Sequence, residues 1–247
     1  MMKRLVLIIA VAALGWSCTA SEEPADGRLQ EIRIGISGIL SGDIATKGMS
    51  EALSSTAPSG VPTLQLIGVD VTTRSYSVLP GESVTVPVGK YSVSGSYRPT
   101  KQGEVGGNAL YHEPSYEVSG QIDVVQGVSG YSVPATYDCA VIAVGSDVDY
   151  VEGATTGTYS ELSAFKAAGD VRLLYVRLAY NLDWKLRVYP VELDEHEMRQ
   201  FTLVSGKAQT GAVFVEKGKW YLFSPGEVDK QDGDITIELP EFGEGGV

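Results

Sequence analysis

Tyr131-Ser132-Val133-Pro134-Ala135-Thr136-Tyr137-Asp138-Cys139-Ala140-Val141-Ile142-Ala143 is the stretch on which the fold turns. Its odd-numbered positions, Tyr131, Val133, Ala135, Tyr137, Cys139, Val141 and Ala143, are apolar. Period two is the mark of a strand with one face in a core. The same alternation occurs upstream at Leu64 and Leu66, at Val84, Val86 and Val88, at Tyr91, Val93 and Tyr97, and at Tyr116, Val118, Ile122 and Val124. Pro80-Gly81, Val88-Gly89, Gly106-Gly107, Gly127 and Gly130 punctuate these runs as turns. Pro87 lies inside one run and predicts an edge strand or a bend there. Strands at this spacing predict a sandwich or an open barrel.

Beyond Gly145 the composition changes. Asp147 to Gly153 and Ala154 to Gly157 form an acidic, glycine-containing join. Thr158 with Glu161 reads as a capping box, and Leu162, Phe165 and Ala168 lie at helical spacing, so a short helix near 159–168 is expected. Strand-like runs resume at Val171 to Leu178, Leu186 to Val191, Gln200 to Val204, Ala212 to Val215, Trp220 to Phe223 and Ile235 to Leu239, with a tight hairpin turn at Lys217-Gly218-Lys219. The expected architecture is mainly β: two β-sandwich domains in tandem, residues 30–143 and 144–247, with one short helix in the second. A single elongated sandwich is the competing organisation.

The segment from Leu79 to Val93, with Val88-Gly89-Lys90-Tyr91 at its turn, resembles the hairpin of prealbumin-like and immunoglobulin-like modules, in which the glycine allows the corner and the tyrosine covers the core. The stretch from Tyr111 to Val118, with the strand from Tyr137 to Val141, resembles uncharacterised Bacteroidetes cell-surface lipoproteins related to fimbrillins. That resemblance implies a surface location, contacts with fimbrial or other surface proteins, and strand donation between subunits. The segment Asp234 to Pro240 reads as an intrachain edge strand with a trailing tail, the donor strand being the alternative that the resemblance implies.

The N-terminus reads as an export signal. Lys3-Arg4 precedes an apolar run from Leu5 to Leu14, too short for the roughly 20 residues of a membrane-spanning helix. Leu14-Gly15-Trp16-Ser17-Cys18 resembles a bacterial lipobox, which implies a signal peptide over residues 1–17, cleavage before Cys18 and diacylglycerol on its thiol. An ordinary signal peptide followed by an incidental cysteine is the alternative. Residues 18–29 read as a polar tether, and Ser21-Glu22-Glu23 resembles the surface-export signal of Bacteroidetes lipoproteins, a solvated linker with chance acids being the alternative. The expected location is therefore the cell outer membrane, lipid-anchored and surface-exposed.

With 19 basic and 31 acidic residues among 247, the net charge is −12. Without residues 1–17 it is −14, because Lys3 and Arg4 are lost. Nucleic-acid binding needs clustered cations and is not expected. Two cysteines and two histidines leave little material for metal or nucleophile chemistry, and neither a metal nor a cofactor is expected. Glu195-His196-Glu197 diverges from one face of any regular element. Asp229, Asp232 and Asp234 lack the spacing of an EF-hand calcium loop and read as a hairpin turn, with weak calcium binding as the alternative; Asp147, Asp149 and Glu152 read in the same way. His112 beside Glu113 has no nucleophile turn in the sequence to serve. Cys139, on an apolar strand, is expected to be an inert core thiol.

Two roles remain. The first is a non-enzymatic surface lipoprotein engaged in adhesion or fimbria-associated protein contacts. The alternative is a glycan-binding accessory lipoprotein of a polysaccharide-uptake system, with Trp184, Trp220 and Tyr221 as candidate glycan or partner contacts among the aromatic residues Tyr175, Tyr180 and Tyr189.

Overall fold

The computed structural model describes residues 28–37, 47–69, 74–191, 198–225 and 233–234. The signal peptide, Cys18, residues 18–27 of the tether, Glu195-His196-Glu197, Asp229, Asp232 and the segment from residue 235 onward lie outside the described residues. Within them the chain is mainly β, as its alternation predicts.

The first sheet holds seven strands in the order β3-β2-β5-β8-β9-β1-β4. These are β1 (Leu29–Ser37), β2 (Leu64–Gly68), β3 (Ser75–Val78), β4 (Ser83–Pro87), β5 (Gly89–Tyr97), β8 (Tyr116–Val124) and β9 (Gly130–Tyr137). Its two edge strands, β3 and β4, are consecutive in the chain. A flat sheet would hold them about 29 Å apart, at about 4.8 Å per neighbour. The link from Val78 to Ser83 spans at most about 17 Å, so the sheet must curl over on itself. Strand β9 makes the bend: Gly130 to Pro134 pair in parallel with β1, whereas Ala135 to Tyr137 pair antiparallel with β8. The changeover falls at Pro134, which has no N–H to give to either neighbour.

Pro87 lies on an edge strand, as its ring predicts. The Val88 N–H donates to Arg28 O, so by alternation Thr85 and Pro87 turn their main-chain groups outward. The segment containing Val88 and Gly89 is a corner rather than the expected hairpin, because β4 pairs with β1 and β5 pairs with β2 and β8. Tyr91 does cover the core: its ring is buried and its hydroxyl donates to Pro87 O at 2.8 Å.

The second sheet runs β19-β18-β10-β14-β7-β6, with β13 also on β14. Its strands are β6 (Gly103–Val105), β7 (Asn108–Tyr111), β10 (Cys139–Gly145), β13 (Lys166–Ala168), β14 (Val171–Arg177), β18 (Lys219–Phe223) and β19 (Gly233–Asp234). Both of its faces are buried. Cys139, Val141, Ala143, Leu173, Tyr175 and Trp220 join a core with the first sheet, while Ala140, Ile142, Val144, Leu174, Val176 and Phe223 join a second core with the third sheet. This is why residues 139–144 read as an unbroken apolar run after the alternation of β9. The expected join between residues 143 and 144 falls inside β10, between neighbours that face different cores.

A helix that the sequence reading did not anticipate, α1 (Lys47–Ser55), packs against β13 and β14. Met49, Ala52 and Leu53 bury its one apolar stripe. Nine residues are too few for a stable isolated helix, so this contact holds it. The hydroxyls of Thr56 and Tyr175, 2.6 Å apart, tie its end to the second sheet.

The third sheet, in the order β12-β11-β15-β16-β17, comprises β11 (Val148–Ala154), β12 (Ser160–Glu161), β15 (Asp183–Pro190), β16 (Arg199–Val204) and β17 (Val213–Phe214). The expected helix near 159–168 is corrected here: this segment forms β12 and β13, on two different sheets. Leu162 and Phe165 pack on the second core and Ala168 on the first, so one helical face could not serve them. The expected hairpin at Gly218 is also a crossing, from β17 in the third sheet to β18 in the second. Its positive φ of 75° and its N–H bond to Cys139 O set that turn.

Close approach rather than a turn explains one glycine in β11. A Cβ at Gly153 would fall 2.6 Å from Nε1 of Trp184 and 3.0 Å from the Leu162 side chain. Gly153→Ala should therefore destabilise the fold by about 1–3 kcal/mol, read as a lower urea midpoint with an unchanged slope.

Candidate functional site

Asp138 is the single residue between β9 and β10, where the chain leaves the first sheet for the second. It is almost fully buried and heavily bonded. Arg177 donates Nε–H to Oδ2 at 2.7 Å, an Arg98 terminal nitrogen lies 3.0 Å from the same oxygen, and Ser115 donates its hydroxyl to Oδ1 at 2.5 Å. Arg98 also pairs with Glu117 at 2.7 Å and donates to the carbonyls of Tyr97 and Tyr116. A buried carboxylate survives only with such partners. The cluster therefore fixes a corner, and its charges are already engaged with one another.

Beside it, Cys139 is fully buried and its thiol donates to Ser115 O at 3.4 Å. Burial first, and the Asp138 charge second, push the thiol from 9.0 to about 12. That environment makes it a poor nucleophile. Burial also pushes the Tyr116 hydroxyl up to about 12, and raises Tyr137 and Tyr175 as well.

The other sequence candidates do not converge. Glu113 accepts the Ser59 N–H at 2.6 Å, the Ser59 hydroxyl at 2.8 Å and the Tyr97 hydroxyl at 2.9 Å, which fastens the exit from α1. Nε2 of His112 is buried without a hydrogen-bond partner. Asp147 accepts from Ser224 and Glu152 from Tyr189, so the acidic join serves separate bonds. Among the described residues no group of three His, Cys, Asp or Glu could hold a metal ion.

The three aromatic candidates require correction. Trp184 is 1% exposed, Trp220 0% and Tyr221 7%. Trp220 faces the first core and Tyr221 the second, because β18 lies in the sheet that is covered on both sides. None presents a plane to solvent. The tyrosine that does is Tyr180, 66% exposed, in the turn between β14 and β15.

The surface of the described residues includes two concavities of note. One, about 650 Å³, is on the outer face of the first sheet and is lined by Gln65, Ser94, Ser96, Arg98, Glu117 and Ser119 among others. Its two charged groups are the ones tied up beside Asp138. The other, about 340 Å³, lies where the β14–β15 turn meets the chain after β16 and β17. Leu178, Phe214 and Val215 supply its apolar lining, and Tyr180, Asn181, Ser205, Glu216 and Lys217 its polar lining. Tyr180 was visible in the sequence only as one of six crowded aromatic residues. The usable signal was its place outside the strand alternation, next to Asn181.

No family model matches the chain, and no curated protein matches it. Solved structures do show similarity. Those it resembles include candidate cell-adhesion proteins and fimbrial proteins of the Bacteroidetes. A candidate cell adhesion protein from Bacteroides uniformis shares 14% identity, with 75% of this chain and 95% of that one covered at a TM-score of 0.43. The tip fimbrial protein Mfa3 from Porphyromonas gingivalis, truncated at its C-terminus, shares 8% identity over 83% of this chain and 98% of its own, with a TM-score of 0.41. A fimbrial assembly protein from Parabacteroides distasonis shares 10% identity over 79% and 90%, with a TM-score of 0.40. They assign no residue role, ligand or partner to this chain.

Three outcomes test the corner. Asp138→Asn leaves Arg98 and Arg177 without their shared carboxylate and should cost about 2–4 kcal/mol, measured by urea unfolding. The raised thiol and phenols bind their protons more tightly in the folded state. The stability they contribute is therefore complete below pH 9 and is lost as the pH climbs towards 12. The urea midpoint should fall over that interval, less steeply in Cys139→Ala. At pH 8 the native thiol should stay silent to a disulfide reagent that labels it in urea.

Proposed function

We propose that this chain is a non-enzymatic, surface-exposed lipoprotein of the outer membrane, held through Cys18, whose sheets make contacts with other surface or fimbrial proteins. The observation that carries the protein-contact part is the edge of β3. Strand edges offer unpaired main-chain groups to an incoming strand, and proteins blunt them with proline, charge or brevity. Strand β4 is blunted by Pro87, and β12 and β17 are only two residues long. Strand β3, Ser75-Tyr76-Ser77-Val78, carries neither proline nor charge. The Gly68 N–H donates to Arg74 O, so by alternation Ser75 and Ser77 turn their main-chain groups away from β2.

Anchoring rests on the sequence around Cys18. More than one acyl chain gives stable membrane attachment by apolar burial alone. The glycan alternative loses Trp184 and Trp220 as platforms, since both are core.

The two parts are separately testable. Cys18→Ala should abolish incorporation of labelled palmitate and release the protein from the membrane fraction. Ser77→Pro removes an outward N–H and should eliminate cross-links to other surface proteins on intact cells, with the thermal midpoint lowered by only a few degrees. An unchanged cross-linking pattern in a folded Ser77→Pro variant would refute edge pairing.

A further inference from the structure

The pocket beside Tyr180 has no part in the contacts derived above. Its aromatic side chain is exposed yet positioned. The buried side chain of Asn108 accepts the Tyr180 N–H through Oδ1 at 2.9 Å, which fixes the main chain. The ring lies against Gly107, whose φ is +79°, and a Cβ there would come within 3.0 Å of the tyrosine Cδ2. Glycine at 107 thus lets the ring settle on the turn between β6 and β7.

Around this ring are groups that suit an uncharged, hydroxyl-rich ligand. Ser205 accepts the Leu182 N–H at its oxygen and retains its own proton to donate. Asn181 adds a carboxamide. Glu216 and Lys217, adjacent on the rim, cancel in charge, and a chain of net charge −12 disfavours anions. Leu178, Phe214 and Val215 give the cavity an apolar side. A pyranose ring has one C–H face and a girdle of hydroxyls, the complement of an aromatic plane flanked by an amide and a hydroxyl. The volume of about 340 Å³ lies within the range of small-molecule sites and accommodates one or two sugar rings.

We propose that this pocket binds a neutral pyranoside, with Tyr180 as the stacking platform and Asn181 and Ser205 as hydrogen-bonding groups. The site stands on its own geometry, independent of Cys18 and of the β3 edge.

The test is saturation-transfer NMR on the full-length chain with methyl β-galactopyranoside, methyl α-mannopyranoside and N-acetylglucosamine. N-acetylneuraminic acid and the peptide Gly-Tyr-Gly serve as competing ligand classes. At least one neutral glycoside should show transfer concentrated on the C–H protons of one ring face. Tyr180→Ala should weaken that binding tenfold or more and Asn181→Ala several-fold, while Tyr180→Phe, which keeps the plane, should bind as the wild type does. If Tyr180→Ala lowers the thermal midpoint, Tyr180→Phe and Asn181→Ala decide the matter. Absence of transfer from every neutral glycoside, unchanged binding in Asn181→Ala, or transfer only to the acidic sugar or the peptide overturns the proposal. A Tyr180→Ala chain that loses the glycoside but keeps palmitate and surface cross-links separates this site from the anchoring and edge contacts.

Discussion

From Cys139 to Val144 every residue of β10 is buried, and neighbouring side chains point into different cores. A strand in that position tolerates no uncompensated polar group on either face. The first sheet and α1 contribute to one core and the third sheet to the other, so both depend on this strand for a wall. The carboxylate at its start, on Asp138, is held by Arg98, Arg177 and Ser115, which lets the chain change sheets without leaving a bare charge inside.

Much of this was legible from parity alone. Tyr131 to Tyr137 alternate because β9 has one wet face, and Pro87 announced an edge that the topology confirms. What parity could not convey is how many faces a strand buries. Trp220 and Tyr221 are adjacent, so one of them would be exposed on an ordinary half-buried strand; in a sheet covered on both sides neither is. The register with β10, Val141 opposite Trp220 and Ile142 opposite Tyr221, places both beside fully buried partners.

The helix expected near 159–168 and the one found at Lys47–Ser55 were misjudged for a related reason. Thr158 to Ala168 has local helical signals, but open strand edges on two sheets capture its backbone and its apolar residues divide between two cores. The segment Lys47 to Ser55 has a weaker local signal, with Gly48 and three serines, yet becomes helical because the second sheet offers its stripe a place to bury. Tertiary context outweighs propensities of a few tenths of a kcal/mol per residue. The Tyr180 pocket was illegible for a different reason: it is assembled from turns after β14, β16 and β17, whose proximity no local pattern encodes.

The order of strands in the second sheet also bears on how the molecule comes into being. Strand β7 waits for β14, some sixty residues later, and β10 waits for β18, more than seventy residues later, whose Trp220 completes the first core. Pairings so distant in sequence slow folding, because the loop must close before any contact rewards it. Neither core is therefore complete until β18 has been synthesised, because Trp220 belongs to one and Tyr221 and Phe223 to the other.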